Sequence, residues 1–201
     1  EAFLSKAGNV DGIWWHMLRD DSMVVMAHEE QAGRDGWLKN TFVHRLASVL
    51  LVSYRGYHQD LPSWVVLGFA HALERRERTD YNTISTGKGM LPRSMKGRSW
   101  KRQVRTLLTQ GKVPPLKELA ASTAIAGLKV ELRPAVWSQV RWLLAERPEQ
   151  FGRFVHRLKD LLGPGKPAKE GFRKAFERSF EMTLDEFDLR WRAWVVKNYP
   201  R

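Results

Sequence analysis

The apolar and polar positions of the first eighty residues predict a strand pair followed by two helices. Residues 10–28 hold an aromatic and apolar run, a polar turn at 19–22 and a β-branched run, which together predict a β-hairpin. Residues 41–55 repeat apolar side chains on two opposite helical faces, so we expect this helix to be buried on both sides. A second helix is predicted from Ser63 to about Arg78.

The second half of the chain has a helical pattern throughout. Pro and Gly residues divide it into predicted helices at 115–121, 134–147, 148–162 and 168–180. Thr183 and Glu186 form a capping-box sequence, which predicts where the last helix begins. The apolar stripe of that helix is Leu184, Phe187, Trp191, Trp194 and Val195.

The amino-acid composition indicates a globular protein and excludes several kinds of site. The chain has 201 residues, of which 43% are hydrophobic, and nine Trp and nine Phe are enough for a substantial core. The absence of cysteine excludes disulfides, iron–sulfur clusters and thiol catalysis. No apolar run approaches the roughly 20 residues of a membrane span, so we expect no transmembrane segment. Because the chain begins at Glu1 without a signal peptide, we expect it to be a fragment or a processed product.

Positive charge is concentrated in the middle of the chain. The formal net charge is +12, and residues 75–105, the basic segment, contain ten basic and two acidic side chains. The electric field of these charges favours binding of an acidic protein or peptide, or of nucleic acid, although a solvated basic surface without a partner is the plainer alternative. The basic side chains are Arg75, Arg76, Arg78, Lys88, Arg93, Lys96, Arg98, Lys101, Arg102 and Arg105.

Residues 41–51 and 61–74 have the spacing of a metallopeptidase motif. In such enzymes H-E-x-x-H places two zinc-binding histidines one helical turn apart, and a glutamate on a second helix completes the site. The corresponding positions here are His44, Arg45, Ser48 and Leu67, with 18 residues between Ser48 and Leu67. The spacing fits the motif, but three of the four side chains do not.

The order of these segments resembles the Peptidase MA-like gluzincins, a family of zincin-fold metallopeptidases. Residues 62–70, with Pro62, Trp64, Gly68 and Ala70 in place, are similar to the family's P-x-W-L-x-E-G-x-A helix, and residues 148–151 and 187–194 are similar to later helices. The resemblance covers about residues 10–197. It implies an extracytoplasmic location, because relatives are often exported.

The resemblance implies an α+β, mainly α, fold. A single zincin-like domain over residues 1–201 would have a small N-terminal hairpin or sheet followed by a helical bundle. Residues 1–78 would hold the sheet and the two former active-site helices, residues 79–99 a basic loop, and residues 100–201 a helical subdomain.

The substitutions remove the chemistry of a zinc peptidase. Arg45 stands where the general base is expected and cannot accept a proton, Ser48 is a poor zinc ligand, and Leu67 has no donor atom. We therefore expect no catalytic residue and no cofactor. The chain is interpreted as a catalytically inactive metallopeptidase homologue that acts as a binding or scaffold module, either alone or within a larger protein or assembly.

A rearranged metal site is a lower-ranked alternative. His71 lies one helical turn beyond Leu67, and Glu74 lies one turn further, so His44, His71 and Glu74 could converge on a metal ion in a metalloenzyme. The plainer interpretation is that His71 lies on the flank of its helix and Glu74 pairs with an arginine.

The binding hypothesis has its own candidate residues. His44, Arg45, His71 and Trp64 would line the old cleft, where Arg45 would favour a carboxylate such as a peptide C-terminus. An edge strand within residues 22–28 could add an extended peptide, and Trp14, Trp15 and Trp64 could line such a groove, although core packing is the plainer role for at least two of these three tryptophans. Polyanion or nucleic-acid binding through the basic segment is the other alternative.

Overall fold

The structure, a computed structural model, describes residues 13–19, 22–27, 37–55, 61–77, 99–121, 128–162 and 168–200. Two strands open it, β1 (Ile13–Arg19) and β2 (Ser22–Ala27). The described residues then form eight α-helices and a short 3-10 helix at Val130–Leu132. The helices are α1 (Trp37–Ser53), α2 (Ser63–Glu77), α3 (Trp100–Thr109), α4 (Leu116–Leu119), α5 (Arg133–Glu146), α6 (Pro148–Leu161), α7 (Ala168–Phe180) and α8 (Leu184–Asn198).

The two strands form an antiparallel pair that lies against α1. Ile13 is opposite Ala27 and Met17 is opposite Met23, and the register becomes irregular between Met17 and Arg19. The strands lie within the segment for which the sequence predicts a hairpin, and Trp14 and Trp15 are on β1. Within the described residues, β1 and β2 pair only with each other.

The predicted α+β zincin-like class is wrong, because the structure is helical. In the described part of the chain the strand pair belongs to no larger sheet, and a two-stranded pair is too small to organise a domain. The described core instead consists of side chains from helices and their connections. The helices bury their apolar faces against one another, so this core does not need the sheet that the predicted class requires.

Trp64 is at the centre of this core. Its side chain has no exposed area, and it packs edge-to-face against Phe154, Phe172 and Phe187. The indole Nε1 donates a hydrogen bond of 2.6 Å to Oε1 of Gln139, so its one polar group is satisfied. The prediction that Trp64 lines an open cleft is therefore wrong.

Helices α2 and α5 approach each other closely at Gly68. A Cβ atom at this position would lie 2.3 Å from Cγ2 of Val140 and 3.1 Å from the carbonyl oxygen of Val136. Ala70, two residues further along α2, has no exposed area. The small residues of the segment at 62–70 therefore serve helix packing in this protein.

Helix α1 is buried on one side only. His44, Ala47 and Leu51 are buried, whereas Phe42 is 43% exposed and Leu50 is 58% exposed. The expectation that α1 is buried on both sides is therefore wrong. Its outer apolar side chains stay exposed although both α2 and β1 contact the helix.

The last helix begins where its capping sequence predicts. Oγ1 of Thr183 accepts a hydrogen bond from the backbone N–H of Glu186, and the carboxylate of Glu186 accepts one from the backbone N–H of Thr183. Trp191 and Val195 are fully buried, whereas Trp194 is only partly buried. None of the described helices has the length and apolar character needed to cross a membrane.

Candidate functional site

Helices α1 and α2 lie side by side and bring three ionisable side chains together. His44 comes from α1, and His71 and Glu74 lie one turn apart on the inner face of α2. The exposed fractions of His44, His71 and Glu74 are 3%, 0% and 0%. We call these three residues the His–Glu cluster.

One carboxylate oxygen connects the two imidazoles. Oε2 of Glu74 lies 3.2 Å from Nδ1 of His44 and 2.9 Å from Nδ1 of His71. The ring centroids of the histidines are 4.5 Å apart, with the planes tilted by 58°. Because an ionised carboxylate can only accept, both Nδ1 atoms donate to Glu74, and each neutral ring then keeps a free lone pair on Nε2.

Burial and hydrogen bonding determine the charges of the cluster. Burial lowers the pKa of His44, and it lowers the pKa of His71 to about 3. Burial alone would raise the pKa of Glu74, but the hydrogen bonds from both histidines outweigh this and lower it to about 2. At neutral pH the cluster therefore consists of two neutral imidazoles and one carboxylate.

Two arginines add positive charge next to the cluster. Arg45 follows His44 on α1 and is partly buried, and Arg133 begins α5 and is only 5% exposed. Burial lowers the pKa of both guanidinium groups, and the Glu74 charge opposes this effect. The positive charges of Arg45 and Arg133 also help to lower the pKa of His44. The surroundings of the cluster thus disfavour additional positive charge.

The four positions with the spacing of the peptidase motif lie in different surroundings. His44 joins the cluster, and Arg45 stays beside it. The hydroxyl of Ser48 donates to the backbone carbonyl of His44 at 3.0 Å, as helix-interior serines often do. Leu67 is 3% exposed and belongs to the core. Only His44 of the four therefore contributes to a group that can hold a metal.

The rearranged set of residues is the one that the structure brings together. One potential ligand atom each from His44, His71 and Glu74 can be chosen so that all three lie within 4.8 Å of one another. Two imidazoles and a carboxylate are a familiar donor set for zinc. The cluster therefore has the composition and the spacing of a metal-binding group.

Sequence reasoning did not single out the tryptophans beside the cluster, and it assigned Arg75 to the basic segment. The ring of His71 packs edge-to-face on Trp100, with centroids 5.0 Å apart, and the Arg75 guanidinium lies 4.4 Å from the Trp100 ring centroid and 5.1 Å from that of Trp137. These side chains come from α2, α3 and α5. The local sequence around an arginine or tryptophan carries no signal that separates this role from others.

The basic segment is partly engaged within the fold. Arg75 stacks on tryptophan, and Arg105 donates to the carbonyl oxygens of Val196 and Tyr199 at 2.7 and 2.5 Å. Among its cations that the structure describes, Arg76, Lys101 and Arg102 are exposed. Arg78, Lys88, Arg93, Lys96 and Arg98 lie outside the described residues, as does almost all of the predicted loop at 79–99.

A cavity of about 580 Å³ lies between α4, α7 and α8. Among the charged side chains on its walls, Lys117 pairs with Asp185 at 3.7 Å and Arg173 pairs with Glu177 at 2.9 Å. No residue of the His–Glu cluster lines this cavity. These two cations are neutralised by neighbouring carboxylates, so they offer no concentrated charge to a ligand.

Comparison with known proteins leaves the family of this chain open. No family model, no curated protein and no solved structure matches it. The likeness to the Peptidase MA-like gluzincins therefore rests on the sequence pattern alone.

Proposed function

We propose that this chain is a catalytically inactive relative of the metallopeptidases that acts as a binding or scaffold module for an acidic protein or peptide. Peptide hydrolysis at zinc needs a general base beside an open metal position. The position of the base holds Arg45, whose guanidinium is charged at neutral pH and cannot accept a proton. Ser48 and Leu67 stand where the remaining ligands are expected, and neither offers a good one.

Burial of the His–Glu cluster also argues against catalysis. None of its three side chains is more than 4% exposed, so a peptide bond has no access to their ligand atoms. A catalytic metal site keeps one coordination position open to water or substrate. We therefore assign the function of this protein to its surface and not to the buried cluster.

The observation that carries the proposal is an exposed apolar stripe along α1. Phe42, Leu46 and Leu50 are 43%, 37% and 58% exposed, and Tyr54, one turn further, is 44% exposed. Because these side chains are four residues apart, they form a continuous ridge on the outer face of the helix. A group of large apolar side chains in contact with water is typical of a surface that binds another protein.

The charge of the protein favours an acidic partner for this ridge. The formal net charge is +12, which attracts acidic molecules over a distance of about 8–10 Å at physiological salt. Lys39 and Arg55 flank the ridge, with side chains 71% and 41% exposed. Each also pairs with a carboxylate of this chain, so an acidic partner would compete with Glu77 and Asp160 for these two cations.

The test is selection of peptides from a random display library on the purified protein, followed by affinity measurements on synthetic peptides. We expect the enriched peptides to combine Asp or Glu with large apolar residues. Their affinity should fall at least about tenfold on Leu50→Asp, which places a charge in the ridge. The matched control is Leu189→Asp on α8, because Leu189 is 70% exposed and lies outside the ridge.

Three outcomes would contradict the proposal. Equal peptide affinity for the Leu50→Asp and Leu189→Asp variants would mean that the ridge does not bind. Zinc-dependent hydrolysis of a mixed peptide substrate, lost on His44→Ala, would mean that the chain is an enzyme. Salt-sensitive binding of a single-stranded oligonucleotide without any peptide binding would favour the polyanion alternative.

A further inference from the structure

The atoms of the His–Glu cluster are already spaced as metal ligands. With zinc-to-ligand distances of about 2.0–2.2 Å, the donor atoms of a tetrahedral site lie about 3.3–3.6 Å apart. The separations here are 3.2 Å from Nδ1 of His44 to Oε2 of Glu74 and 2.9 Å from Nδ1 of His71 to the same oxygen. The rings and the carboxylate would need to move apart only slightly to admit an ion.

The cluster also holds a buried polar atom that the protein itself leaves unsatisfied. Nε2 of His71 is fully buried and has no hydrogen-bond partner within the described part of the chain. Such atoms are rare in folded proteins, and coordination of an ion is one way in which a buried imidazole nitrogen is satisfied. The hydrogen bond to Glu74 does not satisfy Nε2, because it uses the other ring nitrogen.

We propose that the His–Glu cluster binds one divalent transition-metal ion, with zinc as the preferred ion, and that this ion clamps α1 to α2. The donor set of two imidazoles and one carboxylate favours zinc over calcium or magnesium, which prefer sites made of oxygen atoms alone. This inference goes beyond the proposed binding function and does not depend on it. The role is structural, because the site is closed to substrate.

Two sets of donor atoms are available in the same three residues. In the first, Oε2 of Glu74 and both Nδ1 atoms bind the ion directly and the imidazole protons move to Nε2, so this set uses the separations given above but does not satisfy Nε2 of His71. In the second, the Nε2 atoms bind the ion while Glu74 keeps its hydrogen bonds and orients both rings from outside. Glu74→Gln separates them: loss of a direct ligand should abolish binding, whereas loss of an orienting group should weaken it by roughly 10- to 100-fold.

The two neighbouring arginines allow a prediction about the affinity of the cluster for zinc. Arg45 and Arg133 place positive charge beside the cluster, and the Glu74 carboxylate opposes it. A divalent ion at this position is therefore repelled by both guanidinium groups. Replacing the partly buried Arg45 by Met should strengthen zinc binding by roughly tenfold, because it removes one of these charges while keeping most of the length of the side chain. A zinc ion bound elsewhere on the surface would not respond in this way.

The experiment must allow for the burial of the cluster. The protein is unfolded in denaturant with a chelator, refolded with a modest excess of Zn²⁺ or without metal, and freed of loose ions before elemental analysis. We expect close to one equivalent of zinc in the refolded protein. We also expect a higher thermal midpoint with zinc than without, because an ion that binds only the folded state stabilises it.

Matched histidine variants locate the ion. His44→Ala and His71→Ala should each weaken zinc binding by more than about 100-fold, since even orienting residues are worth 10- to 100-fold. His156→Ala is the control, because His156 is an exposed histidine on α6, outside the cluster. Circular dichroism verifies that each variant is folded. His71→Gln, which keeps more of the side-chain volume, replaces His71→Ala if the latter does not fold.

A cobalt-loaded sample gives a second readout that does not require a variant. Four-coordinate binding at the cluster should give the intense visible d–d absorption of tetrahedral Co²⁺, and weak octahedral bands would contradict it. Less than about a tenth of an equivalent of zinc after refolding would overturn the proposal. Equal zinc content in the wild-type and His71 variants would overturn it as well, because it would locate the ion outside the cluster.

Discussion

Replacing Gly68 by alanine tests whether the small residues of α2 are packing residues. A Cβ atom at Gly68 would lie 2.3 Å from Cγ2 of Val140, which is well inside van der Waals contact. Val140 is fully buried on α5 and has little room to move. Overpacking of this kind costs about 1–3 kcal/mol, and the short distance places it near the upper value. Alanine regains about 1 kcal/mol of helix propensity, so we expect a net loss of about 2 kcal/mol.

Gly152→Ala is the matched control for this substitution. Gly152 lies within α6, and nothing lies within 4 Å of the Cβ that alanine would add. We expect this variant to be more stable than wild type by about 1 kcal/mol, so the two alanine variants should differ by about 3 kcal/mol. The assay is urea unfolding followed by circular dichroism, with the free energy of unfolding taken from a linear extrapolation.

A double-mutant cycle with Val140→Ala identifies the contact. Removing the Val140 methyl groups should relieve the cost of Gly68→Ala by at least about 1 kcal/mol, because it deletes the atom that the new methyl group meets. The reasoning would be refuted if Gly68→Ala were as stable as Gly152→Ala. It would also fail if the effects of Gly68→Ala and Val140→Ala were simply additive.

Two further predictions concern acid stability and helix capping. All three groups of the His–Glu cluster have lowered pKa values, so the folded state resists protons that the unfolded chain takes up below pH 6.5 at the histidines and below pH 4.5 at the glutamate. The stability that Glu74 contributes is complete above about pH 4.5 and is lost as the pH falls toward about 2. The two histidines are held neutral, so they destabilise the folded state progressively as the pH falls below 6.5. At pH 5 the loss from His71 is about 2 kcal/mol, and urea unfolding in chelator should show a shallower pH dependence for His71→Gln than for wild type. Thr183→Ala removes the N-cap of α8 and should lower the free energy of unfolding by about 1 kcal/mol, whereas Thr106→Ala, at an exposed position within α3, should change it by less than about 0.5 kcal/mol. An equal effect of the two threonine substitutions would contradict the capping argument.

Helix positions could be predicted from the sequence because their signals are local. The predicted helix at 168–180 matches α7, and the predicted helix at 148–162 ends one residue later than α6. Proline, glycine and the Thr183–Glu186 pair act on backbone groups within a few residues, so no knowledge of the tertiary fold is needed. The same holds for the strand segments, whose apolar pattern is visible along the chain.

The class of the fold could not be predicted in this way. A strand pair followed by two helices is compatible with an α+β domain, and the local pattern does not tell whether further strands join the pair. Whether further strands join the pair depends on which surfaces pack together in the folded protein. In the described structure, the helices bury their apolar faces against one another and the strand pair joins no larger sheet.

The candidate site combines local and tertiary information. The spacing of His71 and Glu74 places both on one face of α2, and the sequence alone shows this. Whether His44 meets them depends on the packing of α1 on α2, because 30 residues separate it from Glu74. The position of Arg133 beside them depends further on the close approach of α5.

Side-chain identity and helical period determined which groups this protein has and which helical face carries each of them. They were sufficient to show that Arg45, Ser48 and Leu67 lack the general base and the good zinc ligands of the H-E-x-x-H motif, because that conclusion depends on residue type alone. Tertiary packing decided which faces are covered: it buried Trp64, left the outer ridge of α1 exposed and closed the His–Glu cluster from water. The burial and the pKa of a side chain depend on contacts between segments that are distant in the sequence, so a local sequence pattern does not determine them.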